Sequence, residues 1–235
     1  METWISLLHE GYSVKFQTEL ELLAYLEGHA YAAAFSDVMD EMGYRDQAVS
    51  PDARIHPLCE SSVSAGRAVT LLNAPDSNEE EPYDLVIKCI DSMSQGTVLV
   101  TTAQTGLTVG IMGELTATAL RAKGCRGAIV NGYTRDVRKL TKMGYPTFAW
   151  GASPIDTTGR ARVVEYNIPI TIGGVTISPG DLVFADFDGI MVVPPAAERD
   201  VIAGVLERIG TENTVRKELA EGKQMSEVWS KYRVL

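Results

Sequence analysis

The feature that most constrains the fold is an alternation of short apolar segments with amphipathic ones between residues 97 and 150. The amphipathic segments end at Gly124 and Gly144, as helices often do, and the apolar segments have the length of buried strands. Strands that alternate with helices pair in parallel, because each helix carries the chain back across the sheet. The predicted order is strand 97–101, loop 105–113, helix 115–123, strand 127–130, a turn at Asn131-Gly132, helix 136–143 and strand 147–150. The sequence therefore predicts an α/β fold around a parallel sheet.

The segments on either side of this core predict further helices and a run of hairpins. Ser36 is placed to cap a short helix, and Gly173-Gly174 lies between two alternating segments in the pattern of a hairpin turn. The predicted elements are helices over 14–28, 37–42 and 85–93, a strand over 63–72, and strands over 182–185 and 190–193. Pro194-Pro195 opens a helical tail that reaches Tyr232 with a break near Gly210. Because no linker interrupts the pattern, we predict a single domain over 1–235, with an N-terminal helical extension over 1–30 and a C-terminal helical tail over 195–235.

The charge and the few cysteines and histidines argue against several classes of protein. A net charge of −10 would repel phosphate groups, so no nucleic-acid partner is expected. The three cysteines and three histidines are dispersed without CxxC or HxxH pairs, which disfavours zinc sites and a disulfide framework. No segment approaches the roughly 18 apolar residues of a membrane span, and the apolar run over 4–8 is too short and too acidic in its flanks for a signal peptide. We expect a cytoplasmic protein with no membrane partner.

Two short motifs in the alternating core carry the candidate chemistry. Gly113-Glu114-Leu115-Thr116 begins a helix, and Arg135-Asp136 follows Glu114 after 20 intervening residues. The first N–H groups of a helix carry partial positive charge and bind anions. An arginine fork suits a carboxylate, an aspartate supplies a hard oxygen ligand for a cation such as Mg²⁺, and Glu114 is near enough to orient or deprotonate a water. The arrangement predicts a site for a small 2-oxo acid beside a divalent metal.

Each of these residues also has an ordinary structural interpretation. Glu114 can be an acid that the helix dipole favours in a first turn, and Arg135-Asp136 can be a surface pair with Asp136 as a helix N-cap. Asp186 and Asp188 are interpreted as turn residues between two strands.

The two motifs and their neighbours resemble the signature of the RraA-like family. The resemblance is carried by Gly113-Glu114-Leu115-Thr116-Ala117-Thr118-Ala119 and by Gly124-x-x-Gly127-Ala128-Ile129-Val130-Asn131-Gly132-x-x-Arg135-Asp136-Val137, and it extends to 36–40, 179–189 and 212–216. That family includes 4-hydroxy-4-methyl-2-oxoglutarate / 4-carboxy-4-hydroxy-2-oxoadipate aldolases. The resemblance implies an α-β-β-α sandwich of the swivelling β/β/α type, assembled as a homotrimer or homohexamer with sites at subunit interfaces.

The resemblance also implies roles for individual residues. Asp136 corresponds to the metal ligand, with Mg²⁺ expected and Mn²⁺ or Co²⁺ as alternatives. Arg135 corresponds to the catalytic residue that binds the substrate carboxylate and stabilises the enolate. Gly113 with the amides of Leu115 and Thr116 corresponds to the second carboxylate anchor. Glu114 is a catalytic candidate. An acid from the neighbouring subunit's C-terminal helix completes the site in the aldolases, for which Glu212 is the first match and Glu207 the second.

The resemblance implies a class II lyase that cleaves a 4-hydroxy-2-oxo acid to pyruvate, with oxaloacetate decarboxylation as a side reaction. Two other functions stay open. One is a regulator that binds a ribonuclease without catalysis, and the other is a hydroxy-acid dehydratase. The helical tail favours an enzyme, since the regulatory members look shorter.

Overall fold

The computed structural model describes residues 6–9, 12–103 and 106–234, with side chains from residue 16 onward. The helices are α1 Glu19–His29, α2 Ala32–Glu41, α3 Asp84–Ser92, α4 Glu114–Ala122, α5 Val137–Met143, α6 Glu198–Ala220 and α7 Met225–Tyr232. The strands are β1 Ser6–His9, β2 Tyr12–Lys15, β3 His56–Pro57, β4 Ser64–Pro75, β5 Thr97–Ala103, β6 Gly127–Thr134, β7 Thr147–Ala152, β8 Ala161–Tyr166, β9 Ile170–Ile172, β10 Val175–Ile177, β11 Leu182–Ala185 and β12 Ile190–Val193. None of the helices in these described ranges is both long and apolar enough to cross a bilayer.

The predicted parallel sheet is confirmed. Strands β4, β5, β6 and β7 pair in parallel, in the order in which they occur along the chain. The full sheet has eight strands in the order β12-β11-β4-β5-β6-β7-β3, and β8 also pairs with β4. The strands added to the parallel core, β3, β8, β11 and β12, are all antiparallel to their neighbours. Strands β9 and β10 form the separate hairpin predicted around Gly173-Gly174.

Successive side chains along a strand point to opposite faces of the sheet, so they enter different hydrophobic cores. The three cores separate four layers of helices and strands. In β11, Val183 packs in a core between sheet surfaces, whereas Leu182 and Phe184 pack against α1, α2 and α6. In β5, Val98 joins the same central core, and Leu99 faces the opposite core, which is closed by α3, α4 and α5. A period of two is what a strand buried on both faces requires. The result is an α-β-β-α sandwich in a single domain, as expected.

Helix α2 begins earlier than predicted, so the prediction of Ser36 as its N-cap is wrong. Ser36 lies inside the helix, and the cap comes from a distant turn, where the Asp186 carboxylate accepts the Ala32 N–H at 2.8 Å. The same carboxylate accepts the N–H groups of Asp188 and Gly189, at 2.9 and 3.3 Å. The interpretation of Asp186 as a turn residue is confirmed.

Two glycine positions predicted as breaks lie inside regular elements. Asn131-Gly132 does not turn the chain; β6 continues to Thr134, and its register against β7 shifts between Val130 and Tyr133. The irregularity is absorbed within the strand, as in a β-bulge. Gly210 does not break α6, because buried residues on both sides, Ile209 and Val215, anchor the helix. A helix-interior glycine costs only about 1 kcal/mol relative to alanine.

The two helical termini also differ in detail from the prediction. The tail breaks between α6 and α7, where Gly222 has φ +86°. At the other end, Ser6–His9 and Tyr12–Lys15 form the β1–β2 hairpin where a helix was predicted from residue 14, and the first helix begins only at Glu19. The segment Tyr12-Ser13-Val14-Lys15 alternates apolar and polar residues, which favours a strand over a helix.

Candidate functional site

A cleft of about 490 Å³ opens where α3, α4 and the loops after β5 and β7 meet. Both motifs reach it, since Gly113, Leu115 and Thr116 line one side and Arg135 and Asp136 lie beside them. These residues come together because α4 starts, and β6 ends, at the same end of the parallel sheet. Ligands of open α/β sheets bind in crevices outside the carboxyl ends of the strands.

Gly113 allows the close approach of the two motifs. A Cβ atom at this position would lie 2.9 Å from Arg135 Cγ and 2.9 Å from Asp136 Oδ2. Its φ is −137°, an extended conformation that any residue adopts, so the requirement for glycine here is one of space. Gly113 is also the N-cap residue of α4, without a side chain to accept the first N–H groups. The amides of Leu115 and Thr116 therefore lack intrahelical acceptors at the wall of the cleft.

Asp136 turns the chain sharply between β6 and α5. It has φ +58°, a left-handed conformation that aspartate adopts more readily than most residues, and it is the N-cap residue of α5. Its side chain makes no cap hydrogen bond; Oδ2 instead accepts the Glu114 N–H at 3.3 Å. The carboxylate thus faces the start of α4 rather than its own helix. A left-handed non-glycine residue whose side chain is directed into a cleft is a candidate functional residue.

The Arg135 guanidinium is held by Asp156, an acid that no sequence motif singles out. Its Nη1 donates to Asp156 Oδ1 at 2.7 Å, and its Nε lies 3.7 Å from Asp136 Oδ2. Asp156, in the loop after β7, also accepts hydrogen bonds from the hydroxyls of Tyr83 at 2.7 Å and Thr158 at 2.8 Å. This network fixes the direction of the Arg135 fork at the mouth of the cleft.

The electrostatic state of Asp156 follows from these contacts. Partial burial raises the pKa of Asp156, but the hydrogen bonds from Tyr83 and Thr158 and the nearby Arg135 charge outweigh that effect. The net result is a pKa below the usual value, so Asp156 stays charged and paired with Arg135. Nothing in the local sequence pattern marks Asp156. The signal that was available is its position after a parallel strand, in a loop at the sheet end where sites form.

The Glu114 side chain points away from the cleft. Its Oε2 lies 3.5 Å from Lys139 Nζ, and its Oε1 accepts the Thr118 hydroxyl at 3.1 Å. The Lys139 side chain is 67% exposed, so the ion pair is weak and a change of rotamer costs little. The backbone of Glu114 contributes to the site through its N–H, whereas the catalytic role of its carboxylate stays a prediction.

The C-terminal acids lie outside this cleft in their own chain. Glu212 on α6 accepts a hydrogen bond from the Tyr31 hydroxyl and lies 3.4 Å from Arg208 Nε. Burial, and then the Glu212 carboxylate, raise the pKa of Tyr31. Glu207 lines a separate groove between α2, α6 and α7. A role for either acid at the cleft therefore requires a second subunit, as the resemblance implied.

A model of the RraA-like family, described as Aldolase/RraA, matches residues 32–192. A "Putative 4-hydroxy-4-methyl-2-oxoglutarate aldolase" of Halalkalibacterium halodurans is 32% identical over 148 residues, which are 63% of this chain and 68% of that protein. "Protein DlpA" of Legionella pneumophila is 28% identical over 202 residues, or 86% of this chain, but the chain spans only about a third (32%) of that protein's length.

A solved structure supports the same relationship. Streptomyces coelicolor RraAS2, "an unusual member of the RNase ES inhibitor RraA protein family", is 26% identical with a TM-score of 0.72, over 85% of this chain and 97% of that one. The family match contains both glycine motifs and Asp156. The chain belongs to the RraA-like family.

Proposed function

We propose that this protein is a divalent-metal-dependent lyase that cleaves a 4-hydroxy-2-oxo acid to pyruvate and also decarboxylates oxaloacetate. The observation that carries the proposal is the packing of Arg135 and Asp136 against Gly113, at the start of α4 and inside one cleft. A guanidinium, a helix N-terminus and a carboxylate meet there within the space of a small acid. The name of the Halalkalibacterium relative supports the same reaction class.

The oxygen ligands available in the cleft suit a hard cation that retains most of its coordinated waters. Within the described ranges, no three His, Cys, Asp or Glu side chains converge to form a metal cage. Mg²⁺ is commonly bound by one or two carboxylates together with waters and substrate oxygens. Asp136 would hold it, since its carboxylate makes no cap hydrogen bond and 35% of the side chain is exposed. When bound, such a cation would supply Lewis-acid polarisation of the 2-oxo group.

Arg135 and the first turn of α4 would bind and orient the substrate. The Arg135 fork suits the 1-carboxylate, and Asp156 holds the fork in place. The N–H groups of Leu115 and Thr116 would bind a second anionic oxygen. As the carbon–carbon bond breaks, negative charge moves onto the 2-oxo oxygen, where the Arg135 cation stabilises it more strongly than in the ground state.

Glu114 is the proposed proton acceptor for the 4-hydroxyl, directly or through a water. To act, its carboxylate must leave Lys139 and turn toward the cleft, which the exposure of Lys139 makes inexpensive. The C3–C4 bond then breaks, C4 becomes a carbonyl carbon, and C3 takes up a proton to give pyruvate. We also propose a trimer or hexamer, in which Glu212 of one subunit reaches the cleft of the next.

The direct test measures pyruvate release from oxaloacetate and from 4-hydroxy-4-methyl-2-oxoglutarate, with and without EDTA. We expect EDTA to abolish release and added Mg²⁺ or Mn²⁺ to restore it. Arg135→Ala and Asp136→Asn should abolish turnover while the melting temperature stays within a few degrees of the wild-type value, since asparagine also adopts the left-handed conformation of residue 136. Arg138→Ala is the matched control, because Arg138 lies on α5 and does not line the cleft. Near-wild-type turnover of either cleft variant would overturn the assignment.

A ribonuclease-binding regulator is the second candidate, and the likeness to RraAS2 favours it. It predicts no pyruvate release from either substrate, together with saturable binding to purified RNase ES that persists in EDTA. A dehydratase would instead convert the hydroxy acid without carbon–carbon cleavage, and analysis of the products distinguishes it from an aldolase.

A further inference from the structure

One wall of the cleft is apolar and does not include the charged groups of Arg135 and Asp136. The wall consists of nonpolar side chains from α3, α4 and β8, namely Val86, Ile87, Ile90, Leu115, Ala119 and Val163. Ile87 is 55% exposed and Leu115 is 79% exposed. Single exposed apolar side chains are ordinary, but several that line one concave surface indicate a binding site.

The chemistry of this wall does not suit a second charged group. A carboxylate placed against Val86 and Ile90 would lose its hydration without gaining hydrogen bonds. The other guanidinium beside the wall belongs to Arg162, whose Nε lies 3.1 Å from Asp76 Oδ2 and whose Nη2 donates to the Glu80 carbonyl at 2.7 Å. Its charge is therefore already balanced by the acidic loop. A small acid at Arg135 would leave most of the 490 Å³ unfilled.

We propose that the apolar wall binds a bulky hydrocarbon group on carbon 4 of the substrate. The inference rests on the proposed function, because it assigns the wall to the same substrate whose carboxylate binds Arg135. The reaction is the cleavage of R–CH(OH)–CH₂–CO–COO⁻ into R–CHO and pyruvate, where R is an aryl or branched alkyl group. The hydroxyl proton leaves, the C3–C4 electron pair stays on C3, and C3 takes up one proton, so atoms and electrons balance without a co-reactant.

The test compares two substrates, 4-hydroxy-2-oxo-4-phenylbutanoate and 4-hydroxy-4-methyl-2-oxoglutarate, by kcat/KM for pyruvate release. We expect the wild-type protein to prefer the phenyl substrate by about tenfold or more, because apolar contacts of this size discriminate by that order. Ile87→Asn should reduce this preference about tenfold, whereas Ile87→Leu keeps the apolar surface and should retain it. Phe187→Asn is the control, since Phe187 is 63% exposed and lies on the β11–β12 turn, away from the wall.

The outcomes separate the two proposals. Pyruvate from oxaloacetate and from the dicarboxylate, without a preference for the phenyl substrate, overturns the assignment of the wall and leaves the lyase intact. No pyruvate from any substrate overturns the lyase itself. If Ile87→Asn lowers both kcat/KM values equally and also dissociates the oligomer in sedimentation, the wall is a subunit contact and the assignment is again overturned.

Discussion

Replacing Gly113 with alanine tests the geometry of the site with one methyl group. The new Cβ would lie 2.9 Å from Arg135 Cγ and 2.9 Å from Asp136 Oδ2, whereas ordinary contact begins at 3.4 Å. The two side chains must therefore withdraw by about 0.5 Å. A displacement of about 1 Å can cost about 10²-fold in rate, so half of it corresponds to about tenfold, or about 1.4 kcal/mol of transition-state stabilisation.

The Gly113→Ala variant should fold normally, because φ at this position is −137° and alanine adopts that conformation without strain. The assay is metal-dependent pyruvate release from oxaloacetate, read as kcat/KM, together with a thermal melt. Gly28→Ala is the matched control, since a Cβ there meets nothing within 4 Å. Wild-type kcat/KM in Gly113→Ala would refute the argument that the contact between the two motifs forms the site.

Three further predictions follow from other contacts. Asp156→Asn should lower kcat/KM about tenfold by releasing Arg135. The pKa of Asp156 is lowered in the folded state, so its contribution to the free energy of unfolding is present above about pH 4 and is lost as the pH falls further. Urea titrations at several pH values should therefore show a smaller loss of stability at acid pH in Asp156→Asn than in the wild type. Glu114→Gln should reduce kcat about 10²-fold with little change in melting temperature, and an unchanged kcat would remove Glu114 from the mechanism. Arg67→Ala should cost about 2 kcal/mol in urea unfolding, because it leaves the 12%-exposed Glu198 carboxylate without its partner in a pair that is only partly buried; a loss below about 0.5 kcal/mol would contradict this.

Elements whose signals lie within a few neighbouring residues are predicted correctly from the sequence. The helices ending at Gly124 and Gly144 and the hairpin at Gly173-Gly174 depend on neighbouring residues, so their patterns are visible in the chain. The start of α2 was missed because its cap, Asp186, lies 154 residues away from Ala32. No local pattern contains that contact.

The sequence predicts that the two candidate motifs lie close together, but it predicts their side-chain contacts only in part. The spacing correctly brings Gly113 beside Arg135 and Asp136. It cannot show that Asp156 holds Arg135, because that contact depends on how the loop after β7 folds back over the cleft. It also cannot choose the Glu114 rotamer, which a weak surface ion pair sets.

Strand β4 links the unfolding of two halves of the molecule, the half that carries the cleft and the half that carries the C-terminal helices. Its first residues pair with β11, its last residues pair with β8, and β5 runs along most of its other edge. One strand thus belongs both to the half that carries the cleft and to the layer that supports the C-terminal helices. Melting one half would break strand pairs that the other half needs, so we expect the chain to lose its structure in one concerted transition.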